Sequence, residues 1–281
     1  MTAVAPRRAP EQGGSCSGTT INLADGAPRM SADDWQSSLM VTAGACSIVG
    51  KVRDHNEDSC LVDDGLNLFA VADGLGGHQA GERASSLAVA TLQECLGAAR
   101  TQGDSPTLEG ILDAFDRANA EILQDAVEHP EHEGMGTTLT AAVATGERLL
   151  VGHVGDSRAW RIRDGVVTQL SRDHTVVAQQ VRDGVITEDD AASHPMRHIL
   201  SRCLGVREEL EVDLLELDVD AGDVYVLASD GLEPGLTAAD LEEIVAENDE
   251  PEVAARVMVN RACERDGRDN ITAVVIACRE A

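Results

Sequence analysis

The order in which apolar patterns follow one another constrains the fold of this chain most. Runs typical of β-strands lie at about 40–48, 60–63, 67–72, 137–144, 149–154, 158–163, 166–170, 211–217, 223–229 and 270–278. Helical patterns lie at about 82–99, 107–127, 238–247 and 251–265. The order lacks the regular strand–helix alternation of a parallel sheet. It favours antiparallel sheets with helices packed outside them, an α+β layered sandwich.

Local signals agree with this order. Asp164-Gly165 separates two strand patterns by two residues, which predicts a tight hairpin. Thr237 and Asp240 stand three residues apart at the start of a helical pattern, and this spacing is typical of a helix cap.

Composition changes near residue 38. Residues 1–38 are rich in Pro, Gly, Ser and Thr without any period, so we predict a disordered or loosely attached arm. From 39 to 279 the patterns continue without a second linker, which predicts a single domain. Within this domain, residues 172–205 lose the strand pattern and contain short helical pieces.

Charge and cysteine content exclude several classes of protein. The formal net charge of −28 argues against binding to nucleic acid or to an anionic membrane surface. The seven cysteines form no C-x-x-C pair, and no signal peptide or apolar run of about 18 residues is present. We therefore expect a soluble cytoplasmic protein with reduced thiols.

The stretch AVADGLGGH, residues 70–78, places Asp73 between an apolar run and a turn with three glycines. A dinucleotide-binding loop needs G-x-G-x-x-G and a Walker loop needs G-K-[ST], and neither pattern is present here. An acid at this point would also repel a phosphate. Two interpretations stay open: Asp73 is a turn residue, or it binds a metal ion.

Other acidic residues stand at similar positions. Asp156 and Asp230 follow apolar runs, Asp269 precedes one, and Glu57-Asp58 come just before another. Carboxylates buried without partners are costly, so a cluster of them at one sheet end would have to bind cations. An all-oxygen ligand set suits Mg²⁺ or Mn²⁺. Sequence spacing alone does not decide whether these residues cluster.

Seven segments resemble the bacterial form of the metal-dependent serine/threonine protein phosphatases, the PPM or type 2C family. They occur in the family's order over about residues 47–276. The segments are SIVGKVRDHNEDS (47–59), FAVADGLGGHQAGERAS (69–85), GMGTTLTAA (134–142), VGHVGDSRAWRIRDGVVTQLSRDHT (151–175), HPMRHILSRCLG (194–205), VYVLASDGL (224–232) and RDNITAVVI (268–276). The resemblance implies a four-layer α-β-β-α sandwich of two antiparallel sheets with helices on both outer faces.

The resemblance also implies a role for each acidic residue. Two or three Mn²⁺ or Mg²⁺ ions per chain are expected, with Asp73 bridging two of them. The implied ligands are Asp230 and Asp269 for the first metal, Gly74 through its carbonyl and Glu57 through water for the second, and Asp156 with Asp230 for a third. Asp58 is expected to support the second metal from beside Glu57.

The implied reaction is hydrolysis of phosphoserine and phosphothreonine by a water activated between two metals, with Arg53 holding the phosphate. The expected partners are phosphorylated proteins, and a cognate kinase is a possible further partner. The protein is expected to be a monomer. Better-known family members carry a proposed general acid at the position of Leu75. We therefore leave the general acid unassigned, because the position of His78 does not support that role.

Residues 172–205 match the family's variable flap, for which substrate selection and simple packing are both open. Two other functions are alternatives for this chain. One is a catalytically weak signalling module that binds phosphoproteins, against which the intact ligand set argues. The other is a calcium binder, which lacks the D-x-[DN]-x-[DN]-G loop.

Overall fold

The computed structural model describes residues 39–77 and 79–281. The predicted arm at 1–38 and His78 lie outside the described residues. The strands are β1 Leu39–Ile48, β2 Asp58–Asp63, β3 Leu68–Leu75, β4 Gly136–Thr137, β5 Leu139–Thr145, β6 Arg148–Val154, β7 Arg158–Arg163, β8 Val166–Gln169, β9 Asp213–Asp218, β10 Val224–Ala228 and β11 Ile271–Glu280. The α-helices are α1 Gln79–Thr101, α2 Leu108–Glu128, α3 Val176–Arg182, α4 Glu188–Ala192, α5 Ala238–Glu247 and α6 Pro251–Arg265.

The strands form two antiparallel sheets. One has the order β1-β11-β10-β7-β8, and the other has the order β2-β3-β5-β6-β9 with β4 paired to the end of β3. The predicted hairpin joins β7 to β8, with positive φ angles of 52° at Asp164 and 72° at Gly165. Positive φ at both central residues is typical of a type I′ turn, whose twist matches that of the flanking strands.

Three apolar cores separate four layers. The first lies between α1, α2 and the β3 sheet, the second between the two sheets, and the third between the β11 sheet and α5 and α6. Along β3, Leu68 and Ala70 face the helices, whereas Phe69 and Val71 face the other sheet. Both faces of this strand are therefore buried, which explains its unbroken apolar sequence. The predicted α+β sandwich is confirmed.

Among the strand boundaries that differ from the sequence prediction, two place acidic residues within strands. Strand β2 begins at Asp58 rather than near 60, and β3 continues to Leu75 rather than ending at 72. Asp58 and Asp73 are therefore strand residues, and they lie directly opposite each other in the β2–β3 register. Strand pairing extends both strands beyond their apolar runs, a tertiary effect that a local pattern does not contain.

The region expected to form a flap contains α3 and α4. Its two ends meet at an isolated bridge between Thr175 and Leu200, close to where the chain leaves and rejoins the sheets. At the other helical layer, Thr237 and Asp240 form the predicted capping box of α5. Within the described part of the chain, no helix combines the length and apolarity needed to cross a membrane.

Candidate active site

Five aspartates converge at one end of the sandwich, between the two sheets. Side chains alternate along a strand, so Asp73 points to the same side of β3 as Phe69 and Val71, toward the opposite sheet. Asp58 faces it from β2. The remaining three come from chain segments next to β7, β10 and β11, and they act electrostatically on this pair; they are Asp156, Asp230 and Asp269.

Asp58 has one carboxylate oxygen that lacks a hydrogen-bond partner. Its Oδ2 accepts hydrogen bonds from the hydroxyls of Ser229 and Thr272, both at 2.7 Å. Its Oδ1 is buried and has no hydrogen-bond partner. Burial, together with the charges of Asp230 and Asp269, raises the pKa of Asp58 to about 7. A buried carboxylate oxygen without a donor is a site where a cation fits.

The pKa values of the neighbouring carboxyl groups are raised in the same direction, by burial and by repulsion between like charges. Burial first, and then the surrounding carboxylates, raise the pKa of Asp73 well above its ordinary value. The same causes raise the pKa of Asp156 to about 7 and also raise the pKa of Asp230. Asp73 and Asp230 lie close enough for each to perturb the pKa of the other. Several carboxyl groups in one buried place require protons or cations, and oxygen donors suit the hard ions Mg²⁺ and Mn²⁺.

The backbone of Asp73 is held by Thr137 of β4 and by Thr138, which follows it. The Asp73 amide donates to the Thr138 hydroxyl at 2.8 Å, while its carbonyl accepts from the Thr138 amide and the Thr137 hydroxyl, both at 2.9 Å. The Thr138 hydroxyl also bonds to Ser157, beside Asp156. These two threonines therefore connect the strand carrying Asp73 to the turn carrying Asp156.

Gly74 lies where three backbone segments approach one another. Its amide donates to the carbonyl of Glu57, and a β-carbon at Gly74 would overlap the backbone of Gly81 in α1. A β-carbon at Gly81 would in turn overlap the carboxylate of Glu57. The Glu57 side chain therefore lies against the first turns of α1, where the helix dipole favours a negative charge.

Asn270 organises the segment between β1 and β2, a role that the sequence analysis missed. Its Nδ2 donates to the carbonyls of Val49 and His55, and its Oδ1 accepts from the amide of Glu57, all at 2.9 Å. The adjacent Asp269 accepts from the Asn270 amide at 2.8 Å. Its position within RDN, directly before an apolar run, was the available signal. Ser229 and Thr272 were missed in the same way, because their role depends on Asp58.

Arg53 lies at the mouth of the carboxylate cluster. Its Nη2 donates to Oδ2 of Asp269 at 2.8 Å, and half of its side chain is exposed. The hydrogen bond to Asp269 raises the pKa of Arg53, with smaller contributions from Glu57 and Asp73. A guanidinium group with unused donors at the edge of an acidic site is suited to hold two oxygens of an incoming phosphate.

Arg158 joins three segments around the cluster. Its Nε donates to Asp173 at 2.8 Å, and its Nη1 pairs with Glu233 in the 3₁₀ turn that begins at Asp230. The sequence analysis assigned no role to Glu233. The pairing gives it a role, since it connects the turn after Asp230 to the turn after Asp156.

Two buried histidines lie behind this region. His153 bonds to the Thr140 hydroxyl at 2.9 Å and to the Arg172 carbonyl at 3.0 Å. Burial lowers its pKa to about 4. His174 accepts from the amide of Gly155 at 3.1 Å and lies 3.3 Å from Asp213. Both histidines hold loops in place rather than facing the carboxylates.

A separate trio of side chains lies outside this centre. Among residues 39–77 and 79–281, Asp125, His129 and His132 bring one ligand atom each within 4.8 Å of one another. They lie at the end of α2 and in the 3₁₀ turn after it.

Comparison with known proteins decides the family. Residues 51–264 match the family model described as protein phosphatase 2C. The chain belongs to this family. The resemblance inferred from the seven sequence segments is thereby confirmed, and the matched range contains Arg53, Asp73, Asp156 and Asp230.

Bacterial relatives agree with this assignment. The chain is 42% identical over 243 residues to the serine/threonine protein phosphatase PstP of Mycobacterium tuberculosis H37Rv, which covers 85% of this chain. That match spans about half of the relative, 45% of its length. The chain is also 35% identical over 231 residues to the serine/threonine phosphatase Stp of Listeria monocytogenes EGD-e, covering 81% of this chain and 92% of that protein.

A solved structure of the PstP catalytic domain, in complex with two manganese ions, has the same fold. It superposes with a TM-score of 0.75 at 36% identity, covering 86% of this chain and 99% of that one.

Proposed function

We propose that this protein is a metal-dependent protein serine/threonine phosphatase that hydrolyses phosphoserine and phosphothreonine. The observation that carries the proposal is the buried, unpartnered Oδ1 of Asp58, which faces a cluster of carboxylates with raised pKa values. Membership of the protein phosphatase 2C family, and a manganese-bound relative of the same fold, support it.

The residues fit two or three divalent cations. Asp73, Asp230 and Asp269 would hold the first, and Asp73 with Glu57 and the carbonyl of Gly74 would hold the second. Asp156 and Asp230 would hold the third. Asp58 would support the ligands of the second metal. Only its Oδ1 is available for this, because Ser229 and Thr272 already donate to its Oδ2. When bound, Mn²⁺ or Mg²⁺ lowers the pKa of the attacking water and stabilises negative charge on the phosphate.

The chain itself orients the substrate. Arg53 is held beside Asp269 through one nitrogen, while its other donors remain available to phosphate oxygens. The carboxylate centre repels a phosphate monoester unless cations compensate it, which makes binding depend on the metal. The expected substrates are phosphorylated proteins of a bacterial cytoplasm, where the enzyme opposes serine/threonine kinases as a monomer.

Hydrolysis of a phosphothreonine peptide in the presence of Mn²⁺ tests this proposal. Asp73→Asn and Asp230→Asn each remove a negative charge from the cation site. We expect each to lower kcat/KM by about 10²-fold or more, which corresponds to the several kcal/mol that a bound cation supplies. Asp164→Asn is the matched control, because it makes the same change in an exposed hairpin turn that accepts Asn.

Full activity of either cluster variant, or of the wild type in excess chelator, would overturn the proposal. Wild-type protein that binds manganese but turns over no phosphopeptide would instead favour the catalytically weak signalling module.

A further inference from the structure

Asp125, His129 and His132 form a compact group about the C-terminus of α2. The Nδ1 of His132 lies 2.6 Å from Oδ1 of Asp125, and the Nδ1 of His129 lies 3.6 Å from the same oxygen. The two imidazole centroids are 5.4 Å apart. All three ligand atoms thus point into one small volume.

We infer that this trio is a binding site for a zinc-type transition-metal cation, distinct from the carboxylate centre. Two imidazole nitrogens and one carboxylate oxygen form a donor set that suits Zn²⁺, with water completing a tetrahedron. The donor set differs in kind from the all-oxygen cluster, which suits Mg²⁺ and Mn²⁺.

The local backbone brings the ligands together. Asp125 and His129 are four residues apart, so they share one face at the end of α2. Pro130 begins a 3₁₀ turn that returns the chain toward the helix and places His132 against Asp125. The sequence D-x₃-H-x₂-H therefore becomes a three-ligand site without any long-range rearrangement.

Arg83 completes the surroundings of Asp125. Its Nε and Nη2 both donate to Oδ2 of Asp125, at 3.0 and 2.6 Å, and leave Oδ1 to the histidines. Hydrogen bonds from Arg83 and His132 lower the pKa of Asp125 despite its burial, so it is ionised at neutral pH. A partner on the outer oxygen is the usual way in which a metal-binding carboxylate is oriented.

Zinc binding requires a free lone pair on both Nδ1 atoms. The hydrogen bonds from His132 Nδ1 to Oδ1 of Asp125 and from His129 Nδ1 to the Asp125 carbonyl are therefore both exchanged for bonds to Zn²⁺. Each Nδ1 proton moves to Nε2 of the same ring, or is released to solvent if that ring carried a proton on both nitrogens. His129 is half exposed at its side chain, which gives the cation a route from solvent.

The site is connected to the segment that clamps Asp73. The His132 carbonyl accepts from the amide of Met135, and the next residues form β4, whose Thr137 bonds to the carbonyl of Asp73. Arg83 stands near the start of α1. A cation bound here would therefore crosslink α2, the 3₁₀ turn and, through Arg83, α1.

Zinc titration of the full chain tests the inference without using phosphatase activity. Asp73→Asn/Asp230→Asn serves as the background, in saturating Mg²⁺, so that zinc does not compete for the carboxylate centre. We expect one Zn²⁺ per chain by calorimetry and by metal analysis after gel filtration. Adding His129→Ala and His132→Ala should lower the affinity at least about 100-fold, since loss of an outer partner alone costs 10–100-fold.

His129→Gln is used as a single substitution that should not impair folding, because this side chain is half exposed. It should also weaken zinc binding and should abolish the zinc-induced rise in Tm that the background protein shows. His194→Ala is the control histidine outside the trio and should bind zinc normally. Unchanged zinc affinity in both trio variants, or no zinc binding by the background protein, would overturn the inference and leave the trio as a hydrogen-bonded helix end.

Discussion

At the scale of single residues, Gly74 near the end of β3 and Gly77 just after it illustrate two different requirements for glycine. Gly74 lies against the backbone of Gly81 and Glu57, so the space for a side chain is filled by main-chain atoms that cannot move aside. Gly77 has open space around its Cα but a φ of 77°, which L-residues disfavour. Packing therefore excludes a side chain at the first position, and backbone conformation disfavours one at the second.

We predict that Gly74→Ala lowers the free energy of unfolding by about 3 kcal/mol, because the overlap forces α1 away from β3. Gly77→Ala should cost only about 1 kcal/mol, the usual penalty for a left-handed residue. Urea unfolding of both variants measures the difference. Equal losses would contradict the steric explanation of Gly74.

At the scale of elements, Arg158 ties together loops that carry the predicted ligands of a third metal. The residue begins β7, Asp173 lies at the root of the flap region, and Glu233 lies in the turn after β10. The Arg158 side chain, which forms both ion pairs, is about four-fifths buried. Losing one partner would leave carboxylates without their cation near an already acidic centre.

Replacement of Arg158 by Met should lower the free energy of unfolding by about 2 kcal/mol and raise the Mn²⁺ concentration needed for half-maximal activity. The control is Arg148→Met, which removes a more exposed pair with Glu216 and should cost less than about 1 kcal/mol. Thermal unfolding and a manganese titration give the two readouts. Indistinguishable behaviour of the two variants would show that Arg158 does not position the loops.

At the scale of the whole molecule, the carboxylate centre opposes folding when no cation is bound. The pKa values of Asp58 and Asp156 rise from 3.8 to about 7 on folding. Between these values the folded protein holds protons that the unfolded chain has released. The free energy of unfolding therefore falls as pH rises through this window. The protonated carboxyls contribute their full stabilisation only below the unfolded-state pKa of 3.8.

In excess chelator, we expect the Tm to fall between about pH 4 and about pH 7, with saturating Mn²⁺ reversing the trend because it binds the ionised carboxylates. Differential scanning calorimetry at several pH values measures both series. Asp156→Asn should flatten the chelator series, since Asn cannot ionise. A Tm in chelator that rises steadily across this range would contradict the assignment of raised pKa values.

Much of the fold was predictable because its signals are local. The Asp164-Gly165 hairpin, the capping box at Thr237 and the apolar helix faces depend on residues a few positions apart. The acidic residues at strand ends were also visible, because burying a charge beside an apolar run is costly enough to stand out. Their assignment to individual metals stays a prediction.

The sequence by itself determined the order of the elements, the turns between them and the residue types available for chemistry, because these depend on short-range periodicity. Only the tertiary structure decided that Asp58 lies opposite Asp73 and that its other contacts come from Ser229 and Thr272, 171 and 214 residues away. It also decided that Asn270 holds the segment around Glu57. Contacts of this kind follow from strand register and from the packing of one sheet on the other, and no local pattern records them.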